Sequence, residues 1–368
     1  MMRLIVAALA LLAVAVILMR FGHPGRGTPL WPDAPYTREH RDQAIRRGLT
    51  FMYQSIARNP GHFKEFGHDL LAAFYNIAVT SGDAELRRMA WNMGHERAIE
   101  WRRIHPAPPA GADVNDITDL IFGDDAAGRL GVPDARMHTE LRERAAEFSV
   151  YDYLLFDPVK EPPPSDIPKQ CEKCYHINVR GATVCSRCGA KLEMHNRYDL
   201  YQDALINSYT GDRTGITLGA HYVDVLRLLP AMRPYPPRLP HNDEDYYAGV
   251  YTVTHLVYTY NDYSQFRISP DCFPEEFAHL KANLRQAVTE KDPETMGEYL
   301  DSLRSFGLTF DDDAIRAGFD YLLSIQNKDG SWGDVKDPNP YGRYHPTWTA
   351  IDGLRDYRWT RVLPCPAF

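Results

Sequence analysis

From residue 36 onward the chain reads as a series of helices closed by short stops. This punctuation limits the fold more than any other feature. Residues 36–59 carry an apolar stripe through Ile45, Leu49, Met52 and Ile56 and stop at Pro60-Gly61. Further helices are expected at about 64–80, 84–104, 115–122, 136–156, 196–209, 216–229, 244–260, 274–290, 294–305, 312–326 and 346–357. Ser81-Gly82-Asp83, Gly211-Asp212 and Asp292-Pro293 act as separators. Strand signals are confined mainly to one cysteine-bearing segment. About twelve helices joined by short turns suit a ring of helix pairs better than a four-helix bundle. The expected class is therefore all-α. Proline-rich connectors at 105–109, 158–168 and 230–240 interrupt the series, and the second leads into the cysteines, as where a small module is inserted into a scaffold.

Arg3 precedes an uncharged run at 4–19, LIVAALALLAVAVILM, which Arg20 closes. As a helix it spans about 24 Å, slightly less than the ~30 Å hydrocarbon core. Flanking residues and snorkelling arginines extend it to a marginal span. A cleaved signal peptide is the competing reading, but its small-x-small candidates, Ala8-Leu9-Ala10 and Ala13-Val14-Ala15, lie inside the apolar run. The expectation is an uncleaved transmembrane anchor at 1–21 and a Gly/Pro linker at 22–35. Arg20, Arg26 and Arg38 follow the segment, which favours a cytoplasmic body. With 41 basic and 49 acidic residues the net charge is −8, and no nucleic-acid partner is expected.

Four of the six cysteines fall at Cys171-x2-Cys174 and Cys185-x2-Cys188, ten residues apart, with Gly189 after the second pair. Two CxxC turns place four thiolates on a tetrahedron, the arrangement zinc takes in closed structural sites. Residues 168–192 resemble a zinc ribbon, with Gly181 suited to a tight hairpin. A rubredoxin-like iron site and a pair of redox disulfides are the alternatives. Four protein ligands leave no position for a substrate, so this zinc is expected to fold the module, and to present it to a partner, rather than to catalyse. Thiolate zinc also favours a reducing compartment. The resulting division is a first scaffold part at 36–165, a ribbon at 166–194, a second scaffold part at 195–360 and a tail at 361–368.

Near the C-terminus, Arg316-Ala317-x3-Tyr321-Leu322-x3-Gln326-x3-Gly330-x-Trp332 resembles the QW motif of terpene cyclases and squalene-type repeats. The following Tyr344-His345-Pro346-Thr347-Trp348 resembles the start of an inner helix in the prenyltransferase and squalene-cyclase superfamily. Arg47-Gly48-x2-Phe51-Met52-x-Gln54 is similar to a degenerate first half of the same repeat. The resemblance covers 312–357 and implies an α/α toroid of about six helix pairs around a central cavity. It also implies a structural role for the motif, the Gln closing a helix end and the Trp stacking against it. It does not identify a reaction.

The superfamily's catalytic motifs are incomplete here. Neither Asp243-Glu244-Asp245 nor Asp311-Asp312-Asp313 matches the D-x-D-D acid of hopene cyclases, and the second reads as a helix cap. Asp271-Cys272-Phe273-Pro274-Glu275 keeps three residues of the oxidosqualene cyclase pattern, which makes Asp271 a candidate acid, although Pro274 and Glu275 also make an ordinary helix entry. No DDxxD is present. His345 occupies the place of the last zinc ligand in prenyltransferase β subunits, and Asp271-Cys272 lies 73 residues upstream, so a second, catalytic zinc on these three residues is a further candidate. Cys365, in a terminal Pro-Cys-Pro, reads as incidental.

Histidines on the expected inner helices form a looser set: His68, His221, His255 and His345. On 244–262, Tyr247, Tyr251, His255, Tyr258 and Asp262 recur at helical spacing. Such a face lines an aromatic, acid-bearing pocket that stabilises cations and carries out general acid–base work, or it is simply core. The candidate catalytic residues are His255, Tyr258, Asp262, Asp271 and His345, and the candidate substrate contacts are His68, His221, Tyr251 and Trp348. Three function classes follow: a membrane-anchored enzyme for an isoprenoid-like apolar substrate, a scaffold for protein partners, and a carbohydrate-active α/α barrel using carboxylates such as Asp69, Asp224 and Asp262.

Overall fold

Acidic and amide side chains start half of the helices. Asn59, Asp83, Asp113, Asp134, Asn196, Asp292 and Asp312 each accept backbone N–H groups of the first turn that follows. The computed structural model describes residues 27–239 and 243–367. The expected anchor at 1–21 lies outside the described residues, and among those described no helix is long and apolar enough to cross a membrane.

The chain is predominantly helical. In order, the helices are α1 (Arg38–Phe51, continued by a π-helical turn at Met52–Ala57), α2 (Pro60–Thr80), α3 (Ala84–Ile104), α4 (Val114–Arg129), α5 (Ala135–Ala145) and α6 (Val150–Leu154). After the cysteine module come α7 (Arg197–Thr214), α8 (Tyr222–Leu226), α9 (Leu229–Met232), α10 (Asp243–Tyr260), α11 (Pro274–Glu290), α12 (Pro293–Ser305), α13 (Asp313–Ile325) and α14 (Tyr341–Leu354). Two differences from the sequence reading have local causes. The stretch 216–229 breaks up because Gly219 adopts φ +86°, leaving only the short α8 and α9 beyond it. The last helix begins at Tyr341 rather than Pro346, and the proline is carried inside it.

One apolar core runs through all the longer helices. Its closest crossing is α12 on α14. A Cβ at Gly297 would lie 2.3 Å from the Thr349 carbonyl, and one at Gly353 would lie 3.0 Å from the Gly297 Cα. Glycine at both positions therefore lets the two backbones meet.

The first and last long helices are tied together. Arg41 forms a two-point pair with Asp356 at 3.0 and 2.8 Å. Arg304 donates to the Gly353 and Arg355 carbonyls, and the fully buried Arg355 spans Asp352 and Thr80. The QW-like segment adds a second tie. Gln326 donates to Gly330 and to Ala44 of α1, while the buried Trp332 indole donates to Leu322 at 2.8 Å. Arg47 reaches the Asn327 and Lys328 carbonyls.

The tail is not incidental. β1 (Arg267–Ile268) pairs in parallel with β2 (Val362–Leu363), and Cys272 is joined to Cys365 by a disulfide. This corrects the reading of Cys365. It also removes Cys272 from any metal, so the Asp271–Cys272–His345 zinc is not formed. Asp271 itself is exposed in a 3-10 turn.

Candidate functional site

Six helices line a cavity of about 540 Å³. They are α2, α4, α7, α10, α12 and α14. Each touches the next, and α14 touches α2. The longer helices between them, α1, α3, α5, α11 and α13, contribute no lining residue.

One side of the cavity is aromatic. Phe66 of α2, Tyr258 of α10, and Tyr341, Tyr344 and Trp348 of α14 line it, with Tyr341 stacked on His345 at 4.7 Å. Tyr263 joins them from an unusual backbone: Asp262, Tyr263 and Ser264 all have positive φ. That strained turn is held by Asn261, whose side chain accepts from Ser264 N, and by Ser264 donating to Asp301 at 2.8 Å. The α4 and α7 side is polar, where Arg213 and Arg129 share Asp125 at 2.7 and 3.8 Å.

Carboxyl groups penetrate the aromatic side. Glu298 and Asp301, only 1 and 3 % exposed, project from α12, and Asp352 projects from α14. Burial pushes the Glu298 carboxyl up to about 8, although the His345 cation opposes the shift. Thr254 donates to its Oε2 at 2.5 Å. Asp301 is pushed up to about 7 by burial and by neighbouring Asp352. Burial holds His255 down to about 4, so its imidazole is neutral. Its Nδ1 sits 2.8 Å from the Tyr251 carbonyl, which places the proton there and leaves Nε2 as an acceptor. His345 behaves in the opposite way. Burial disfavours its cation, but Glu294 at 3.2 Å raises it to about 9.

The candidates from sequence divide accordingly. His68, His255, Tyr258, His345 and Trp348 meet at the cavity, with His68 3.6 Å from Asp119. Tyr251 stands behind Glu294, to which its hydroxyl donates at 3.3 Å. Asp262 turns away and accepts the Tyr209 hydroxyl. His221 is exposed and paired with Asp212 at 2.7 Å, and Asp224 pairs with Arg227, so neither reaches the cavity. Glu298, Asp301 and Asp352 were missed. The signal for the first two was Glu294-x3-Glu298-x2-Asp301, three acids on one face of a helix.

Two groups of donor atoms are compact enough to surround an ion among the described residues. In the first, Cys171 Sγ lies 3.6 Å from Cys188 Sγ, and Cys174 Sγ lies 3.6 Å from Cys185 Sγ. A zinc–sulfur bond of about 2.3 Å gives tetrahedral sulfur edges of about 3.8 Å, whereas a disulfide is about 2.05 Å, so the sulfurs fit a metal and not two disulfides. The knuckles close through Cys171 N to His176 O and Cys185 N to Ala190 O, and the module packs on its own small core around Leu192. Removing one ligand with Cys171→Ala is expected to take zinc from one per chain to none, while the helical circular dichroism persists because the main core lies elsewhere. Metal analysis with circular dichroism checks this, and loss of helix would contradict it. The second group is Glu294, Glu298 and His345, within 4.8 Å of one another. Their charges already compensate: a His345 cation, a Glu294 carboxylate held low by that pairing despite burial, and a neutral Glu298.

No known protein family, curated protein or solved structure matches the chain.

Proposed function

We propose that the protein is an enzyme that applies general acid–base chemistry to a small molecule with an isoprenoid-like apolar portion, held at the centre of an α/α toroid. One observation carries the reading: neutral Glu298 and neutral His255 line the same cavity, beside an aromatic wall. Protonated Glu298 supplies a proton to a double bond, and the ring faces of Phe66, Tyr258, Tyr344 and Trp348 stabilise the cation that develops. His255 Nε2 then removes a proton from a neighbouring carbon. One proton enters and one leaves, so the net reaction is an isomerisation or cyclisation. A second proton transfer, from His255 back to Glu298, resets the site.

The toroid is supported by the alternation of lining and outer helices and by the contact of α14 with α2. An open centre speaks against a scaffold with a filled core. The apolar run at 4–19 supports membrane attachment, where an apolar substrate would reside. The Cys272–Cys365 disulfide supports a body on the oxidising side of that membrane, against both the arginine count and the four free cysteines of the ribbon.

Asp69, Asp119, Asp125 and Asp352 also line the cavity and favour a second reading, a carbohydrate-active barrel. Native mass spectrometry of the full chain, released from mild detergent, separates the two. The expected result is a retained hydrocarbon-rich molecule, with retention lost on Trp348→Ala. A retained saccharide would establish the second reading. An empty cavity that also fails to retain added polyprenols would overturn the first.

A further inference from the structure

The cysteine module leaves one face of its own surface unexplained. Tyr175, Ile177 and Val179 are 74, 76 and 80 % exposed, more than any other large apolar side chain among the described residues. Their alternation has a structural cause. The residues between them turn inward: His176 Nε2 lies 3.0 Å from Ser186 Oγ, and Asn178 Oδ1 accepts from Ser186 N at 2.9 Å. The odd positions are thereby turned out to solvent, and Val184, bridged to Lys191 across the second knuckle, is exposed on the same module.

The module carries more basic side chains than acidic ones in an acidic chain. Residues 166–194 hold five basic and three acidic side chains, and zinc on four thiolates adds a net −2, so the module is close to neutral in a protein of net charge −8. Lys169 is paired with Glu193 and Glu244, and Arg180 with Glu161 and Asp166. Lys173, Arg187 and Lys191 are exposed and form no ion pair among the described residues.

We propose that this face docks on an anionic lipid bilayer. Tyr175, Ile177 and Val179 enter the interfacial layer, while Lys173, Arg187 and Lys191 lie at the level of the lipid phosphates. Three observations select this occupant. Exposed basic and exposed apolar side chains on one small module match a surface that is anionic outside and apolar beneath. Isoleucine and valine gain from entering lipid, whereas a nucleic acid would call for stacking aromatics in their place. The apolar run at 4–19, outside the described residues, supplies a second attachment to the same bilayer. The acidic body is repelled by such a surface, so the ribbon would fix which side of the protein faces it. This proposal does not depend on the reaction proposed for the cavity.

The test uses the zinc-loaded full chain reconstituted into vesicles of phosphatidylcholine, with or without phosphatidylglycerol. Hydrogen exchange is followed across residues 173–187. Exchange is expected to slow in the anionic vesicles, and the slowing is expected to fade with added salt. Ile177→Ser with Val179→Ser should abolish it. Each of Lys173→Gln and Arg187→Gln should weaken docking about fivefold. Zinc content reads whether a variant has kept the ribbon folded, and surface substitutions at these exposed positions are expected to leave it unchanged. Equal exchange in anionic vesicles, neutral vesicles and detergent would overturn the proposal. So would protection by single-stranded RNA or by a protein partner in the absence of lipid.

Discussion

Replacing Glu298 by Gln is expected to make the protein more stable above about pH 5 while slowing its chemistry by orders of magnitude. An ordinary glutamate titrates near 4.3 in the unfolded chain. In the folded protein, burial raises Glu298 to about 8, with His345 opposing and Glu294 and Asp292 reinforcing the shift. The folded state therefore holds a proton that the unfolded state has released. The contribution of Glu298 is fully present below about pH 4.3 and is lost progressively as pH rises to about 8. Glutamine cannot ionise, and its carbonyl can still accept from Thr254. The stability gap between Glu298→Gln and wild type should consequently open across that window. Denaturant unfolding at several pH values reads the gap, and a variant less stable than wild type at pH 8 would contradict the assignment. Turnover of the molecule recovered from the cavity should fall by about 10²–10⁴, the usual worth of a positioned general acid. Wild-type turnover should itself decline as Glu298 loses its proton.

The second large effect is structural. Trp332 is fully buried, and its indole holds the end of α13 through Leu322. Around it, Gln326 and Arg47 join the loop after α13 to α1, 280 residues away in sequence. Gly48 leaves room for the ring, since a Cβ there would lie 2.8 Å from it. Trp332→Ala should cost about 3–5 kcal/mol, from lost burial and the cavity left behind. Trp332→Phe keeps most of the ring and loses the N–H, so it should cost less. Thermal or urea unfolding of the two variants gives the comparison. A cost below about 1 kcal/mol for the alanine variant would mean that the loop does not hold α1 and α13 together.

This arrangement was partly readable from residue order. The QW-like spacing identified Gln326 and Trp332 as partners, and the structure places them as helix closure and buried ring. The helix series was readable because its stops are chemical: Asp83 and Asp312 cap, and Pro274 and Pro293 open. The site was harder. A histidine or tyrosine on a helical face is visible in sequence, but which face meets the cavity depends on neighbours far along the chain. His255 and Tyr258 reach the cavity, yet Asp262, on the same nominal face, leaves it because the chain turns left-handed there. The acids of α12 escaped notice because Met296, Tyr299, Leu300 and Leu303 interleave with them, giving a helix buried on every side. The Cys272–Cys365 pairing spans 93 residues and carried no local signal at all.

The central claim is that a neutral carboxylic acid waits in an aromatic cavity at neutral pH. Infrared difference spectra of wild type minus Glu298→Gln, recorded across a pH series, test it most directly. The subtraction removes the contributions of Asp301 and the other buried carboxyls. A protonated-carboxyl carbonyl band should be present at pH 7, be half lost near pH 8 and vanish at higher pH. A carboxylate signal already complete at pH 6 would contradict the account, because Glu298 would then have no proton to give.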